Sequence, residues 1–285
     1  MIALPEIVAT APAQYTTADK ERSLRSLMRK LQRVLVAYSG GVDSSYLAKI
    51  ATEELGTDSI CAIGLSPSVS EFQRDNAVRV ARANGFNIMM LDTNELADPE
   101  YLANKGDRCY FCKTELYSKL SKVAVELNCA VLDGTNADDI GDHRPGRIAA
   151  EEQKVKSPLA EIGFTKAEIR ELSRKAGLST WDQPASPCLS SRIAVGVPVT
   201  LKRLSRIERA EDFLRNMGFR EFRVRVHGEL ARIEVAPSEL SKAHDLAVSA
   251  NIARKLKELG FKFVTLDLEG FRSGSLNVTS DIVKN

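Results

Sequence analysis

The segment Val34-Leu35-Val36-Ala37-Tyr38-Ser39-Gly40-Gly41-Val42-Asp43-Ser44 decides how the rest of the chain is read. Its apolar start reads as a short strand, its two glycines turn the chain, and Tyr46, Leu47 and Ile50 carry on as a helix. Two glycines at a strand-to-helix turn let successive backbone N–H groups face one concavity, and the helix behind adds the positive end of its dipole. Such a cradle suits a pyrophosphate. No G-x-x-x-x-G-K-[ST] pattern occurs anywhere in the chain, so the anion is to be held without a Walker lysine.

Outward from this segment, short apolar runs alternate with helical periodicity. A helix is expected from about 18 to 31, strands near 33–38, 59–64, 87–92 and 129–133, and helices near 43–55, 70–84 and 112–127. Strands that are apolar throughout belong in a parallel sheet covered on both faces. Alternating β and α units of this length predict an α/β fold with a doubly wound parallel sheet, in which the loop after the first strand binds nucleotides. Thr165 with Glu168 three residues on has capping-box spacing and starts a helix over 165–176. The stretch 179–198, with Pro184, Pro187 and Pro198, has little periodicity, and an irregular stretch of that length is usually functional. After it, a helix over 201–217, strands over 221–227 and 230–235 around Gly228, a helix over 238–259 and a strand over 261–268 predict a smaller C-terminal α+β domain. On its first strand Phe222, Val224 and Val226 alternate with Arg223, Arg225 and His227. The expected division is an arm over 1–17, a nucleotide-type domain over 18–198 and the α+β domain over 199–285.

Composition narrows the classes. With 285 residues, 40 Lys+Arg against 38 Asp+Glu and a net charge of +2, the chain lacks the basic excess of a nucleic-acid binder. It has no apolar run near the ~20 residues of a membrane span, and no basic-then-apolar leader at its start. A cytoplasmic location with reduced thiols is the expectation.

Five cysteines remain to be placed. Cys61 and Cys129 sit in apolar runs and read as core residues. Arg108-Cys109-Tyr110-Phe111-Cys112-Lys113 is a C-x-x-C, and Pro187-Cys188 adds a third thiol in the irregular stretch. Three readings stand open: a 4Fe–4S cluster with three cysteine ligands, a zinc site completed by a histidine such as His143, or a redox dithiol.

A lysine-free glycine loop ending in Asp-Ser resembles the pyrophosphatase (PP) loop of the N-type ATP pyrophosphatases, whose fold is of the adenine nucleotide alpha hydrolase type. Together with GTNADDIGDHRPG over 134–146, PASPCLSSRIAVG over 184–196, VRVHGELARIEV over 224–235 and TLDLEGFRSGSLN over 265–277, it resembles the LarE family of ATP-dependent sulfur transferases of nickel-pincer nucleotide synthesis. The likeness runs from about residue 20 to 277.

That resemblance implies an enzyme using ATP and Mg2+ to adenylate the carboxylates of pyridinium-3,5-biscarboxylic acid mononucleotide, release pyrophosphate and install sulfur as thiocarboxylate. Pyrophosphate contacts would come from Ser39, Gly40, Gly41, Val42, Asp43 and Ser44, with Asp43 ordering the loop or meeting Mg2+. Adenosine contacts would come from Ala37, Ser66, Gly134 and Thr135. The phosphate and carboxylates of the substrate call for cations, with Arg192, Arg223 and Arg225 as candidates and Arg144 behind them. The three-cysteine branch of the family is similar to cluster-dependent sulfur transferases, so Cys109, Cys112 and Cys188 are the expected 4Fe–4S ligands. The other branch sacrifices one cysteine, and Pro187 stands where that residue is expected, so donation from Cys188 itself is the lesser reading. The family also implies a homo-oligomer, a hexamer of two trimers, acting on a small-molecule nucleotide. A related alternative, tRNA-uridine sulfur transfer, calls for a basic surface that the charge balance does not supply.

Overall fold

In the computed structural model, which describes residues 15–140 and 145–272, Val34–Ala37 (β1) lies between Ser59–Leu65 (β2) and Ala130–Leu132 (β4), with Asn87–Asp92 (β3) outside β2. All neighbours in this sheet run parallel, in the order β3-β2-β1-β4. Val34, Leu35 and Val36 are each fully buried because the sheet is covered on both sides. On one side Val34 and Val36 share a core with Leu24 and Met28 of Thr17–Leu31 (α1) and with Leu47 and Ile50 of Val42–Leu55 (α2). On the other, Leu35 packs in a cluster with Tyr117 and Leu120 of Arg108–Leu127 (α5) and Ala149 of Pro145–Glu152 (α6). Glu71–Ala83 (α3), Pro99–Ala103 (α4), Pro158–Ile162 (α7) and Lys166–Lys175 (α8) complete this part. The expected doubly wound parallel sheet is what the chain forms, and strand order reverses direction at β1, where the glycine loop begins.

The second sheet pairs Phe222–His227 (β5) antiparallel with Leu230–Val235 (β6), and β6 parallel with Phe263–Leu266 (β7). Phe222, Val224 and Val226 point into a core with Leu204, Ile207 and Leu214 of Leu201–Asn216 (α9). The same core takes in Tyr101 from α4, and Leu189, Ile193 and Val199 from the irregular stretch. That stretch is held in place: Ile193 makes a β-bridge to Val226, and Ala194 N–H donates to the Val226 carbonyl at 3.1 Å.

Two expected helices come out differently. The helix expected over 238–259 is two, Leu240–His244 (α10) and Leu246–Glu258 (α11). Asp245 leaves helical geometry between them, and its carboxylate caps α11 by accepting from the N–H groups of Ala247 and Val248, each at 3.0 Å. The helix expected from 112 starts earlier, at Arg108, which puts both cysteines of the C-x-x-C near the N-terminus of α5.

Candidate functional site

The glycine loop is fixed by steric necessity. Gly40 has φ +73°, and a Cβ there would lie 2.6 Å from the Ala77 Cα in α3, so no other residue fits without movement. Gly41 is the N-cap of α2 and supplies no side-chain cap, which leaves the first-turn amides of α2 for an incoming acceptor. The Ser39 and Ser44 hydroxyls stand 3.1 Å apart, and Ser39 N–H donates to Ser44 Oγ at 3.3 Å. Val42 is buried and Ala37, the end of β1, half-buried. Gly134 follows β4, and a Cβ there would sit 2.9 Å from the Ser44 nitrogen. The two loops at the reversal point therefore touch. The loop after β4 is stiffened by Thr135, whose N–H and hydroxyl both donate to Asp133, at 3.1 and 2.9 Å.

Asp43 is answered by a lysine from far along the chain. Lys166 Nζ lies 2.5 Å from one Asp43 carboxylate oxygen, and Asn136 Nδ2 donates to the other at 3.4 Å. The Lys166 N–H donates to Asp138 at 2.7 Å. Sequence reading missed Lys166. Its signal was positional: it directly follows the Thr165 cap, at the positive end of a helix dipole, where a cation is unfavourable unless an acid faces it.

The three candidate cysteines come from two segments. Cys109 is exposed, while Cys112 and Cys188 are half-buried, and no disulfide joins them. Burial pushes the Cys112 thiol up, the negative charge of Cys188, Glu95 and Cys109 adds to this, and Lys113 opposes it. Among the described residues no group of three or more His, Cys, Asp or Glu is arranged around a single metal ion. His143, the histidine of the zinc reading, lies outside the described residues. Lys113 itself donates to the Tyr117 hydroxyl at 2.9 Å, and Tyr117 donates to Asp133 at 2.8 Å, joining the start of α5 to the loop after β4.

The Cys188 segment is gripped from both sides. On the nucleotide side, Leu189 N–H donates to the Ser68 carbonyl at 2.7 Å, and Gln73 Nε2 of α3 donates to the Ser186 carbonyl at 2.7 Å and to the Pro187 carbonyl at 3.2 Å. On the other side Arg192 Nη1 donates to the Cys188 carbonyl at 2.9 Å and Arg223 Nη2 to the Ala185 carbonyl at 2.7 Å. Ser66, after β2, is buried, and its hydroxyl is given to Glu95.

The arginines, alike in sequence, differ in situation. Arg192 is 3% exposed and meets Glu211 of α9 through two bonds of 2.9 and 3.1 Å. Arg225 is buried, bonds Glu234 at 3.0 Å, and reaches the Ser191 carbonyl at 3.2 Å; Arg232 shares Glu234 at 2.9 Å. Arg223 makes no ion pair among the described residues. Burial first, then the charge of Arg192, pulls its guanidinium down to about 10, with Glu211 and Glu221 pulling the other way without pairing to it directly. The Phe271 ring stands 4.8 Å from it, and Phe271 is brought there by its N–H donating to the Val235 carbonyl at 2.7 Å. His227, on the same strand, is held below its ordinary value by burial and by Arg232 and Arg225, against the pull of Glu234. Arg144 lies outside the described residues.

A parallel α/β sheet with a lysine-free glycine loop at its reversal point, joined by a small mixed sheet, defines a PP-loop-like fold. No protein-family model matches the chain. It is 36% identical over 266 residues, 93% of its length and 96% of the relative's, to the pyridinium-3,5-bisthiocarboxylic acid mononucleotide synthase of Lactiplantibacillus plantarum. It is also 42% identical over 260 residues, 91% of this chain and 97% of the relative, to an uncharacterized protein of Synechocystis sp.. An uncharacterized protein of Methanocaldococcus jannaschii is 33% identical over 245 residues, 86% of this chain and 92% of the relative. The chain belongs to the LarE family, that of the bisthiocarboxylic acid mononucleotide synthase. No helix among the described residues is long and apolar enough to cross a membrane.

Proposed function

We propose that this protein is an ATP-dependent sulfur transferase that converts the carboxylates of pyridinium-3,5-biscarboxylic acid mononucleotide to thiocarboxylates for the nickel-pincer cofactor. Likeness to the named synthase over nearly the whole chain supports the substrate class. The observation that carries the reading is the position of the Cys188 segment, hydrogen-bonded through Gln73 to the helix that backs the glycine loop and through Arg223 to the arginine face. Activation and sulfur delivery then meet in one place.

In this reading a substrate carboxylate oxygen attacks the α-phosphorus of ATP, the bond to the β-phosphate breaks, and pyrophosphate leaves with the electron pair. The first-turn amides of α2 and the hydroxyls of Ser39 and Ser44 receive that developing charge, a contribution realised in the transition state. Lys166 supplies a cation at the same mouth, and Asp43, which it now meets, would be the carboxylate to hold Mg2+ and so neutralise phosphate charge. Ala37, Ser66, Gly134 and Thr135 border the adenosine. Arg223 takes an anionic group of the substrate, because no carboxylate pairs with it directly, while Arg192 and Arg225, spent on Glu211 and Glu234, hold the backbone of the 188–191 segment beside it.

Cys109, Cys112 and Cys188 would hold a 4Fe–4S cluster; three soft sulfur donors suit iron and sulfide in kind. When bound, such a cluster supplies a sulfur nucleophile that is anionic at neutral pH. The task of the chain is to bring the activated acyl carbon against that centre and to hold the departing AMP. A cytoplasmic setting and a six-copy assembly belong to the same proposal.

The test is one assay on protein purified anaerobically, with iron and sulfide counted first and expected at about four each per chain. With MgATP and the biscarboxylate nucleotide, AMP and pyrophosphate are expected in equal amounts. Asp43→Ala is expected to abolish both products, and Arg223→Gln to raise KM for the nucleotide about tenfold or more, the loss of a charge-assisted hydrogen bond. Formation of ADP and orthophosphate instead would overturn the proposal.

A further inference from the structure

We infer that Glu95 is a positioning residue that ties the Cys188 segment to the nucleotide side of the site through a one-way chain of hydroxyl groups. Glu95 is 1% exposed, in the short turn after β3. It accepts from the hydroxyls of Ser66, of Ser68 at 2.8 Å and of Thr93 at 3.2 Å. A carboxylate only accepts, so the single hydroxyl proton of Ser68 is committed to Glu95. In its 2.6 Å contact with Tyr101, Ser68 must then accept, and Tyr101 donates. The proton of Tyr101 is used in turn, so in its 2.6 Å contact with Ser190 the serine is the donor. The donors run from Ser190, which meets Tyr101 and also reaches the Ser68 hydroxyl directly at 3.1 Å, through Tyr101 and Ser68 to Glu95, and every member is buried; Tyr101 supplies the shorter of the two acceptors open to Ser190.

The direction matters because of where the ends lie. Ser190 is two residues from Cys188, and Ser68 grips the same segment a second time by accepting Leu189 N–H at 2.7 Å. Ser66, at the other end, leaves β2, the strand beside β1. A buried carboxylate is costly to leave without donors, so the hydroxyls are drawn toward Glu95 and the 188–190 backbone with them. Reversing or cutting the chain should free Cys188 without disturbing either sheet.

Two variants test this. Tyr101→Phe removes one oxygen and leaves the ring in the second core. Glu95→Leu keeps the bulk but removes both oxygens, the one shared by Ser66 and Ser68 and the one that meets Thr93. The primary measurement is the rate of iodoacetamide alkylation of Cys188 in the folded, metal-free protein, followed by peptide mass spectrometry. Cys61, fully buried, is the internal standard for global opening. Both variants are expected to speed Cys188 alkylation about fivefold, the population shift from one lost buried hydrogen bond, with Cys61 unchanged. In Tyr101→Phe, sulfur transferred per pyrophosphate released is expected to fall by about the same factor. This second readout rests on the proposed function, whereas alkylation does not; if the wild type forms no pyrophosphate, that proposal fails and the thiol rates still decide the present one. Unchanged Cys188 rates in both variants would overturn it, as would a parallel rise at Cys61.

Discussion

At the glycine loop, the groups proposed to meet an anion are backbone amides, fixed where glycine is sterically required. On the β5–β6 face the corresponding groups are side chains, and most are already engaged. Gly40 is pinned by Ala77 and Gly134 by Ser44, so the shape of the loop follows from residues with no side chain to choose. The arginine face is set by choices: Glu211 takes Arg192, and Glu234 takes Arg225 although it stands directly opposite Arg223 in the strand register. What is left over, the charge of Arg223, is the product of pairings made elsewhere. A backbone site can be built from one local segment, while a side-chain site exists only once its competitors have been neutralised.

The comparison can be broken most forcefully at Glu211. Glu211→Ala leaves Arg192 buried without its partner and is expected to destabilise the fold by about 3–5 kcal/mol, read from urea unfolding. A loss below about 1 kcal/mol, the size of an exposed pair, would mean that the face does not depend on its buried pairs. The glycine loop is probed next. Gly40→Ala is expected to lose about 2 kcal/mol or more, roughly 5 °C in Tm, because its Cβ meets Ala77 and its φ is positive. Gly41→Ala, whose Cβ would find only the Ser39 hydroxyl at 3.4 Å, is expected to change stability by less than about 0.5 kcal/mol. Equal losses at the two positions would dissolve the claim that steric necessity singles out Gly40.

The smallest effect sharpens the side-chain half. The folded pKa of His227 is lowered, so the unfolded chain binds the proton more readily, and stability is lost as pH falls through about 6.5 and below. Burial sets this first, then Arg232 and Arg225, opposed by Glu234. His227→Gln is therefore expected to lessen the fall in Tm between about pH 7.5 and pH 5. An unchanged pH slope would remove His227 from the charge balance of that face.

How much the sequence revealed follows the same division. The β1 run and the glycine turn are local features, and the strand, the turn and the parallel sheet could be read from them directly. The capping box at Thr165 was legible for the same reason, since both partners lie within one turn. Lys166 was not, because its partner Asp43 is 123 residues away. The three arginines looked equivalent because the residues that distinguish them, Glu211 and Glu234, have no sequence relation to them that marks the pairing. Glu95 gave no signal at all: its donors are serines, a threonine and, through Ser68, a tyrosine, which in sequence look like ordinary loop residues. The break at Asp245 was missed because apolar periodicity continues across it, and the cap that interrupts it is a single side chain.

Helix α3 carries a consequence for how such chains vary in length. Ala77 backs Gly40, and Gln73, one turn earlier on the same face, holds Ser186 and Pro187. Inserting or deleting one residue between these positions would swing them apart by about 100° around the helix axis. The five-residue window is thus a molecular ruler, and relatives that gain or lose residues must do so outside it if the two halves are to stay in step.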